Sequence, residues 1–94
     1  MGQLFEDIKE AVREERYAIG RHANERLRQR GILAWQVIAG VESGTVLAER
    51  PKAKPNPVVE VQQELPDGTP IKAIWAWLET DRNAKLVTVH LFDQ

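Results

Sequence analysis

Hydrophobic residues recur at helical spacing at the start of the chain. Between residues 3 and 15 charged side chains alternate with five apolar positions, namely Leu4, Phe5, Ile8, Ala11 and Val12. This spacing predicts an amphipathic helix over residues 3–15. The next apolar run, Tyr17-Ala18-Ile19, predicts a short strand that ends at Gly20.

Glycines mark the ends of two further predicted helices. Gly20 can cap a helix at its start, and Gly31 suits the left-handed residue that closes one, so we expect a helix from Arg21 to Arg30. Another helix opens at Leu33 and closes at Gly44. Its apolar stripe consists of Ala34, Val37, Ile38 and Val41.

From residue 45 onward the hydrophobic period changes to two, which is typical of strands. Three prolines between residues 50 and 57 predict a loop. Pro66-Asp67-Gly68 and Thr80-Asp81-Arg82-Asn83 predict turns. The strands predicted between these breaks are 45–49, 58–65, 71–79 and 86–92.

The last two predicted strands are apolar on both faces. Ala73, Trp75 and Trp77 line one side of the first of them, and Ile74, Ala76 and Leu78 line the other. Such strands are usually covered on both faces. The two internal helices can cover one face, and the N-terminal helix or a second copy of the chain would cover the other.

The element order predicts an α+β fold with N-terminal helices packed on a four- to five-stranded, mainly antiparallel sheet. A length of 94 residues favours one domain over residues 1–94. Within it, residues 1–16 are an added amphipathic helix and residues 17–94 form the α+β core.

The amino-acid composition excludes several classes of protein. With 43% hydrophobic and 29% charged residues the chain lies outside the disordered regime. The absence of cysteine excludes disulfides and thiolate sites. The sequence shows no signal-peptide pattern and no apolar run near the ~18 residues of a membrane span. We therefore expect a cytoplasmic protein.

The overall charge argues against a dedicated nucleic-acid binder, but the local charge does not. Thirteen basic and fourteen acidic residues give a net charge of −1, whereas neutralising phosphates usually requires a positive excess. Residues 16–30, however, contain five arginines against the single acidic residue Glu25.

Three of the polar residues in the helix 21–30 lie on or beside its inward face. At 100° per residue, His22, Arg26 and Arg30 fall within one arc of about 140° that also holds the apolar Ala23 and Leu27. An arginine is seldom buried without a partner. This strip is therefore either paired with carboxylates or lines a cleft that admits an anion.

The strip of His22, Arg26 and Arg30 admits a structural and a functional interpretation. In the structural one, Arg26 and Arg30 extend over the core and pair with Glu49, Glu60, Glu79 or Asp81, and His22 bonds a nearby carbonyl. In the functional one, the two guanidinium groups and the helix N-terminus hold a phosphate, and a neutral His22 accepts a proton.

The second histidine, His90, lies on the last predicted strand. Strict alternation there places His90 on one face with Leu86, Thr88 and Phe92. It is either a hydrogen-bonded core residue or, if it faces the same cleft as His22, the second member of a base–acid pair. Two histidines without a local pattern do not predict a metal site, and no cofactor motif is present.

Other residues are candidate contacts for a nucleic acid. Trp75 and Trp77 share one strand face and are either core, a dimer interface or a platform that stacks bases. Lys52 and Lys54 in the proline loop, with Arg28 on the other side of the helix, are candidate basic contacts.

The run His22-Ala23-x-x-Arg26, followed by Arg30-Gly31-Ile32, Val37 and Gly44, resembles a family of small bacterial domains of unknown function. Members typically read HAxxRxxxRGI, followed by a short helix and a four-stranded antiparallel sheet. The resemblance covers about residues 17–92. The chain departs from the pattern at Gly20, where members usually have serine or threonine, and at Leu33, where they often have a polar cap.

This family is thought to share the fold of RelE-like and barnase-like toxins. The resemblance therefore implies RNA binding or metal-independent RNA cleavage, with an antitoxin-like protein as a partner. His22 would be the base, and Arg26 and Arg30 would hold the phosphate. The alternative is a non-catalytic interaction module, a homodimer with structural arginines. The acidic net charge, the second apolar sheet face and the tryptophan pair support this alternative.

Overall fold

The computed structural model describes residues 3–92 and contains three helices that precede most of a five-stranded mixed sheet. The predicted domain limits at residues 1 and 94 lie outside the described residues. The helices are α1 (Gln3–Arg13), α2 (Arg21–Arg30) and α3 (Ala34–Gly40). The strands are β1 (Tyr17–Ile19), β2 (Thr45–Arg50), β3 (Val58–Glu64), β4 (Pro70–Leu78) and β5 (Asn83–Leu91).

The strands lie in the order β1-β5-β4-β3-β2. The four strands from β2 to β5 form antiparallel pairs with their neighbours in sequence, while β1 pairs in parallel with β5. The predicted α+β class, with N-terminal helices and a mainly antiparallel sheet, is thus confirmed. No helix within residues 3–92 is long and apolar enough to cross a membrane.

All the buried apolar residues of the helices pack on one face of the sheet. That face carries Trp75 and Trp77, and its strand residues form one cluster with Phe5 and Ile8 of α1 and Leu27 of α2. The expectation that α1 or a second copy covers the other face is therefore wrong for α1. Since α1 adds its apolar stripe to the same core as the internal helices, the opposite face, here called the open face, is left without a helix.

A β-bulge in β5 changes which residues reach the open face. Ile74 is paired with Thr88 but Trp75 with Leu86, so Val87 is an extra residue opposite β4. The predicted strict alternation is consequently wrong beyond this point. Leu86 lies in the core, whereas Thr88 and His90 lie on the open face opposite Ile74 and Lys72.

Helix α2 has the predicted bounds and lies close against β5. Its N-cap residue Gly20 donates its backbone N–H to the carbonyl of Leu86 at 2.8 Å. A β carbon at Gly20 would be only 2.9 Å from that oxygen, so glycine permits this close approach. Gly31 closes α2 with a positive φ of 68°, as its left-handed role predicts.

Two predicted helices are shorter in the structure. Helix α1 ends at Arg13 because Glu15 takes a left-handed conformation with φ 61°. Helix α3 ends at Gly40 instead of continuing to Gly44, since Val41 and Gly44 donate to Ile38 and Val41 in tighter i to i+3 turns. The turn that follows brings Gly44 against Val61 of β3.

Candidate functional site

The open face carries a mixed set of polar and apolar side chains at its centre. The residues that point to this side are known from the strand register, because directly opposite residues share a face. Near the middle of the sheet they include Glu60 on β3, Lys72 and Ile74 on β4, and Thr88 and His90 on β5. All five are half-buried or buried.

Helix α2 brings its own side chains to the edge of this surface. Because β1 is only three residues long, α2 follows it directly and runs beside β5. Ala23 and Leu27 turn into the core, and Arg26 reaches His90, which lies on the open face. The Arg26 Nη2 atom lies 3.4 Å from Nδ1 of His90. The structure thus joins a predicted arginine of α2 to the predicted histidine of β5.

The guanidinium of Arg26 has no acidic partner in the described part of the chain. Within residues 3–92 neither Arg26 nor Arg30 forms an ion pair. Two of the carboxylates expected to pair with them are engaged elsewhere: Glu60 with Arg50 at 2.8 Å, and Glu79 with Arg82 at 3.6 Å. The expected pairing of these arginines with carboxylates is therefore not observed within residues 3–92.

Two polar atoms near His90 are buried and have no hydrogen-bond partner within residues 3–92. They are Nε of Arg26 and the hydroxyl oxygen of Thr88. Unpartnered buried polar atoms are uncommon in folded proteins and call for an explanation. Both belong to side chains on the same side of the sheet as His90, and both atoms are shielded from solvent.

The electrostatic balance around His90 is positive. Lys72 lies directly opposite on β4, and Arg26 contacts the ring. The one carboxylate of this group is Glu60, which already binds Arg50 and lies 3.9 Å from the ammonium of Lys72. Glu60 is thus shared between Arg50 and Lys72, and Arg26 is the cation of this group that has no ion pair within residues 3–92.

The pKa of His90 is lowered below 6.5. Desolvation by burial is the main cause, and the charges of Arg26 and Lys72 act in the same direction, followed by a smaller effect of His22. Glu60 opposes the shift. His90 is therefore neutral at pH 7, and His22 is close enough on α2 to affect it.

The lowered pKa predicts how His90 contributes to stability as the pH changes. Because the folded protein binds the proton less tightly than the unfolded chain, this contribution is complete above pH 6.5 and is lost as the pH falls through the lower folded pKa. We expect His90→Gln to lose less free energy of unfolding than the wild type as the pH falls below 6.5. Urea unfolding at a series of pH values measures this, and identical slopes in both proteins would contradict it.

A protein-family model described as a domain of unknown function (DUF4258) matches residues 19–90. The chain belongs to the DUF4258 family. This match begins at the last residue of β1 and includes His22, Arg26 and His90, while α1 lies outside it. The DUF4258 chain shows no significant match to a curated protein or to a solved structure.

The structure separates Arg30 and Arg28 of the DUF4258 domain from the pair formed by Arg26 and His90. Arg30 is exposed at the end of α2 and lines a cavity of about 350 Å³ with Gln36, Asp67 and Leu91. Arg28 is exposed on the outer side of α2 beside Glu25. The contact with His90 is thus made by Arg26.

The proline loop places Lys54 at the other end of the open face. Lys52 and Lys54 are exposed. Lys54 lines a shallow cavity with Lys85 and Val87 of β5. A second basic group therefore lies on the open face of the DUF4258 domain, farther along β5 from His90.

The hypothesis that Trp75 and Trp77 stack nucleobases is wrong. Their side chains are 0% and 3% exposed and belong to the core that the helices cover. The indole N–H of Trp75 donates to Gln63 at 2.9 Å, and that of Trp77 donates to Glu79 at 2.7 Å. Both rings are structural parts of the DUF4258 domain.

Lys72 and Lys85 on the open face were missed from the sequence, whereas alternation had already placed Thr88 with His90. Lys72 was detectable as the one cation within the apolar strand β4. That Lys85 shares this face with His90 was not detectable, because the bulge at Val87 decides it. Among residues 3–92, no group of three or more histidines and carboxylates could hold a metal ion.

Proposed function

We propose that the open face binds the backbone of RNA and cleaves it without a metal ion. The observation that carries this proposal is the Arg26 guanidinium, which is half-buried beside His90, has no carboxylate partner within residues 3–92 and keeps an unbonded Nε. Phosphate is the ligand that guanidinium groups bind best, through two parallel hydrogen bonds.

RNA fits the site better than other phosphates because of the shape of the surface. The open face extends from Arg26 and His90 at the edge of α2 to Lys85 and Lys54 beside the proline loop. A chain of phosphates can contact both basic groups, whereas a single small anion can contact one. The local positive charge also compensates for the net charge of −1 of the whole chain.

The proposed reaction uses the ribose 2′-hydroxyl as the nucleophile. His22 accepts the 2′-hydroxyl proton, the oxygen forms a bond to phosphorus, and the bond from phosphorus to the 5′-oxygen breaks. The leaving 5′-oxygen takes a proton from water. Arg26 and Lys72 stabilise the negative charge of the pentacoordinate transition state. The products are a 2′,3′-cyclic phosphate and a 5′-hydroxyl.

Cleavage of a short single-stranded RNA tests this proposal. We expect the wild type to produce cyclic phosphate ends in the presence of EDTA and to leave DNA of the same sequence intact, because DNA lacks the nucleophile. His22→Ala should cleave about 10²-fold more slowly, as expected for loss of a general base. Arg21→Ala, an exposed neighbour that pairs with Glu25, is the matched control.

A result in which RNA is neither bound nor cleaved would exclude this function. Cleavage that EDTA abolishes would contradict the metal-independent mechanism but not the RNA-binding surface. Equal loss in His22→Ala and Arg21→Ala would remove the assignment of His22 as the base.

Binding of a protein partner is the second candidate function. Leu33 and Trp35 at the start of α3 are 58% and 57% exposed, and Trp35 is the one tryptophan that lies outside the core. Aromatic residues exposed in this way are enriched at protein interfaces. An antitoxin-like protein, as in RelE-type systems, or a second copy of the chain would fit this surface. The buried Trp75 and Trp77 no longer support a dimer.

A further inference from the structure

The contact between Arg26 and His90 determines where the proton of the imidazole ring lies. A guanidinium group carries five N–H donors and no acceptor, and it stays protonated in proteins. At 3.4 Å from Arg26 Nη2, Nδ1 of His90 can form a hydrogen bond only by accepting one. A proton on Nδ1 would place two N–H groups against each other. The neutral ring therefore carries its proton on Nε2.

The surroundings of His90 also disfavour the doubly protonated ring. The charged and titratable groups that act on it are His22 and Arg26 from α2, Lys72 from β4 and Glu60 from β3. Glu60 is already held by Arg50 of β2. A positive imidazolium would face two cations with no free carboxylate among these groups, in agreement with its lowered pKa.

We infer that Arg26 fixes His90 as the Nε2–H tautomer, so that His90 presents a hydrogen-bond donor to the phosphate and His22 alone acts as the base. This assignment of roles rests on the proposed function, whereas the tautomer itself does not. Nε2 lies across the ring from Nδ1 and is directed away from the guanidinium. It cannot accept the 2′-hydroxyl proton while it carries its own.

The inference also defines the chemistry of the ligand. With Nε2–H as a donor, the open face around His90 offers donors from His90, Arg26 and Lys72. Such a set is matched by a group that has only acceptors, and a phosphodiester at pH 7 has one negative charge shared by two non-bridging oxygens and no proton. The site should therefore prefer a phosphodiester over a neutral ligand that must also donate.

NMR of protein labelled with ¹⁵N in histidine tests the tautomer directly, without RNA. Long-range ¹H–¹⁵N correlations distinguish an Nε2–H ring from an Nδ1–H ring, and we expect the Nε2–H pattern for His90 above pH 7. Arg26→Lys retains a donor and should keep this pattern. Arg26→Ala should shift the ring toward a mixture, and Arg28→Ala should not. A predominant Nδ1–H ring in the wild type would overturn the inference.

Two variants of His90 test its role in cleavage. The amide N–H of glutamine can donate near the position of Nε2 but cannot act as a base at pH 7. His90→Ala should therefore lower cleavage by about 10²-fold, and His90→Gln should stay within about tenfold of the wild type. Equal loss in both variants, with His22→Ala still active, would show that His90 is the base and would overturn the division of roles.

These experiments separate the inference from the proposed function. If the wild type cleaves no RNA, the proposed function and the assigned roles fail together, and the NMR spectrum still decides whether Arg26 fixes the tautomer. If RNA is cleaved but His90 is an Nδ1–H ring, the function stands and the inference is wrong.

Discussion

Arg26→Ala is expected to reduce RNA cleavage by about 10²–10³-fold, which is the cost of removing one preorganised donor from a developing negative charge. The substitution removes the one guanidinium that contacts His90, together with its unbonded Nε. It also removes the group that orients the imidazole. Single-turnover cleavage rates at saturating protein measure the effect on the chemical step, separately from binding.

Three variants of α2 distinguish this role from a general effect of charge. Arg26→Lys keeps the charge but loses the planar fork, so we expect an intermediate rate. Arg28→Ala removes the same charge two residues away, on the exposed outer side of the helix, and should leave the single-turnover rate within about threefold of the wild type. If Arg28→Ala and Arg26→Ala were equally slow, the positive charge of α2 rather than the Arg26–His90 pair would explain activity.

Salt dependence adds an independent measure of the same surface. Each phosphate contact that a variant loses should reduce the slope of log Kd against log salt by about 0.7 for single-stranded nucleic acid. Arg26→Ala is therefore expected to bind RNA with a smaller salt dependence than Arg28→Ala. Unchanged slopes in both variants would place the bound RNA elsewhere on the molecule.

The elements of the fold were predictable because their hydrophobic periods are clear. The glycines at positions 20 and 31 set the bounds of α2 correctly, and the change of period at residue 45 marked the start of the antiparallel strands. The side on which α1 packs was not predictable, since its stripe of Phe5, Ile8 and Val12 fits either sheet face equally well. The side on which α1 packs is decided by tertiary packing, and it leaves the open face without a helix.

The candidate site was predictable only in part, because its geometry depends on one extra residue in β5, Val87. The helical period placed Arg26 beside the inward face, but alternation along β5 placed His90 with Leu86. The extra residue Val87 breaks that alternation and turns His90 to the open face beside Arg26. A bulge leaves little trace in sequence, because the bulged strand keeps its apolar composition. The contact between Arg26 and His90, which are 64 residues apart in the sequence, depends on this local irregularity.

Trp75→Ala is expected to cause the largest loss of stability among single substitutions in the core. The Trp75 side chain is completely buried and packs among residues from the helices and the sheet. Its indole N–H donates to Gln63 Oε1 at 2.9 Å, and Gln63 Nε2 donates to the carbonyl of Val37 in α3 at 2.7 Å. The ring therefore supports both the sheet and the attachment of α3.

The size of this loss follows from two contributions. Truncating a buried tryptophan costs about 3–5 kcal/mol, and leaving the Gln63 oxygen without a donor adds about 1–3 kcal/mol. Since domains of this size are stable by about 5–15 kcal/mol in total, a large fraction of Trp75→Ala should be unfolded at 37 °C. Urea unfolding followed by circular dichroism measures the change without relying on tryptophan fluorescence.

Trp35→Ala and Trp75→Phe are the matched controls for this prediction. Trp35 is 57% exposed, so its truncation should change the free energy of unfolding by no more than about 0.5 kcal/mol. Trp75→Phe keeps an aromatic ring in the core but loses the indole donor, and its stability should lie between those of the wild type and Trp75→Ala. If Trp75→Ala kept its stability and instead lost RNA affinity, the ring would be a binding surface and the packing of α1 and α3 on this face of the sheet would be wrong.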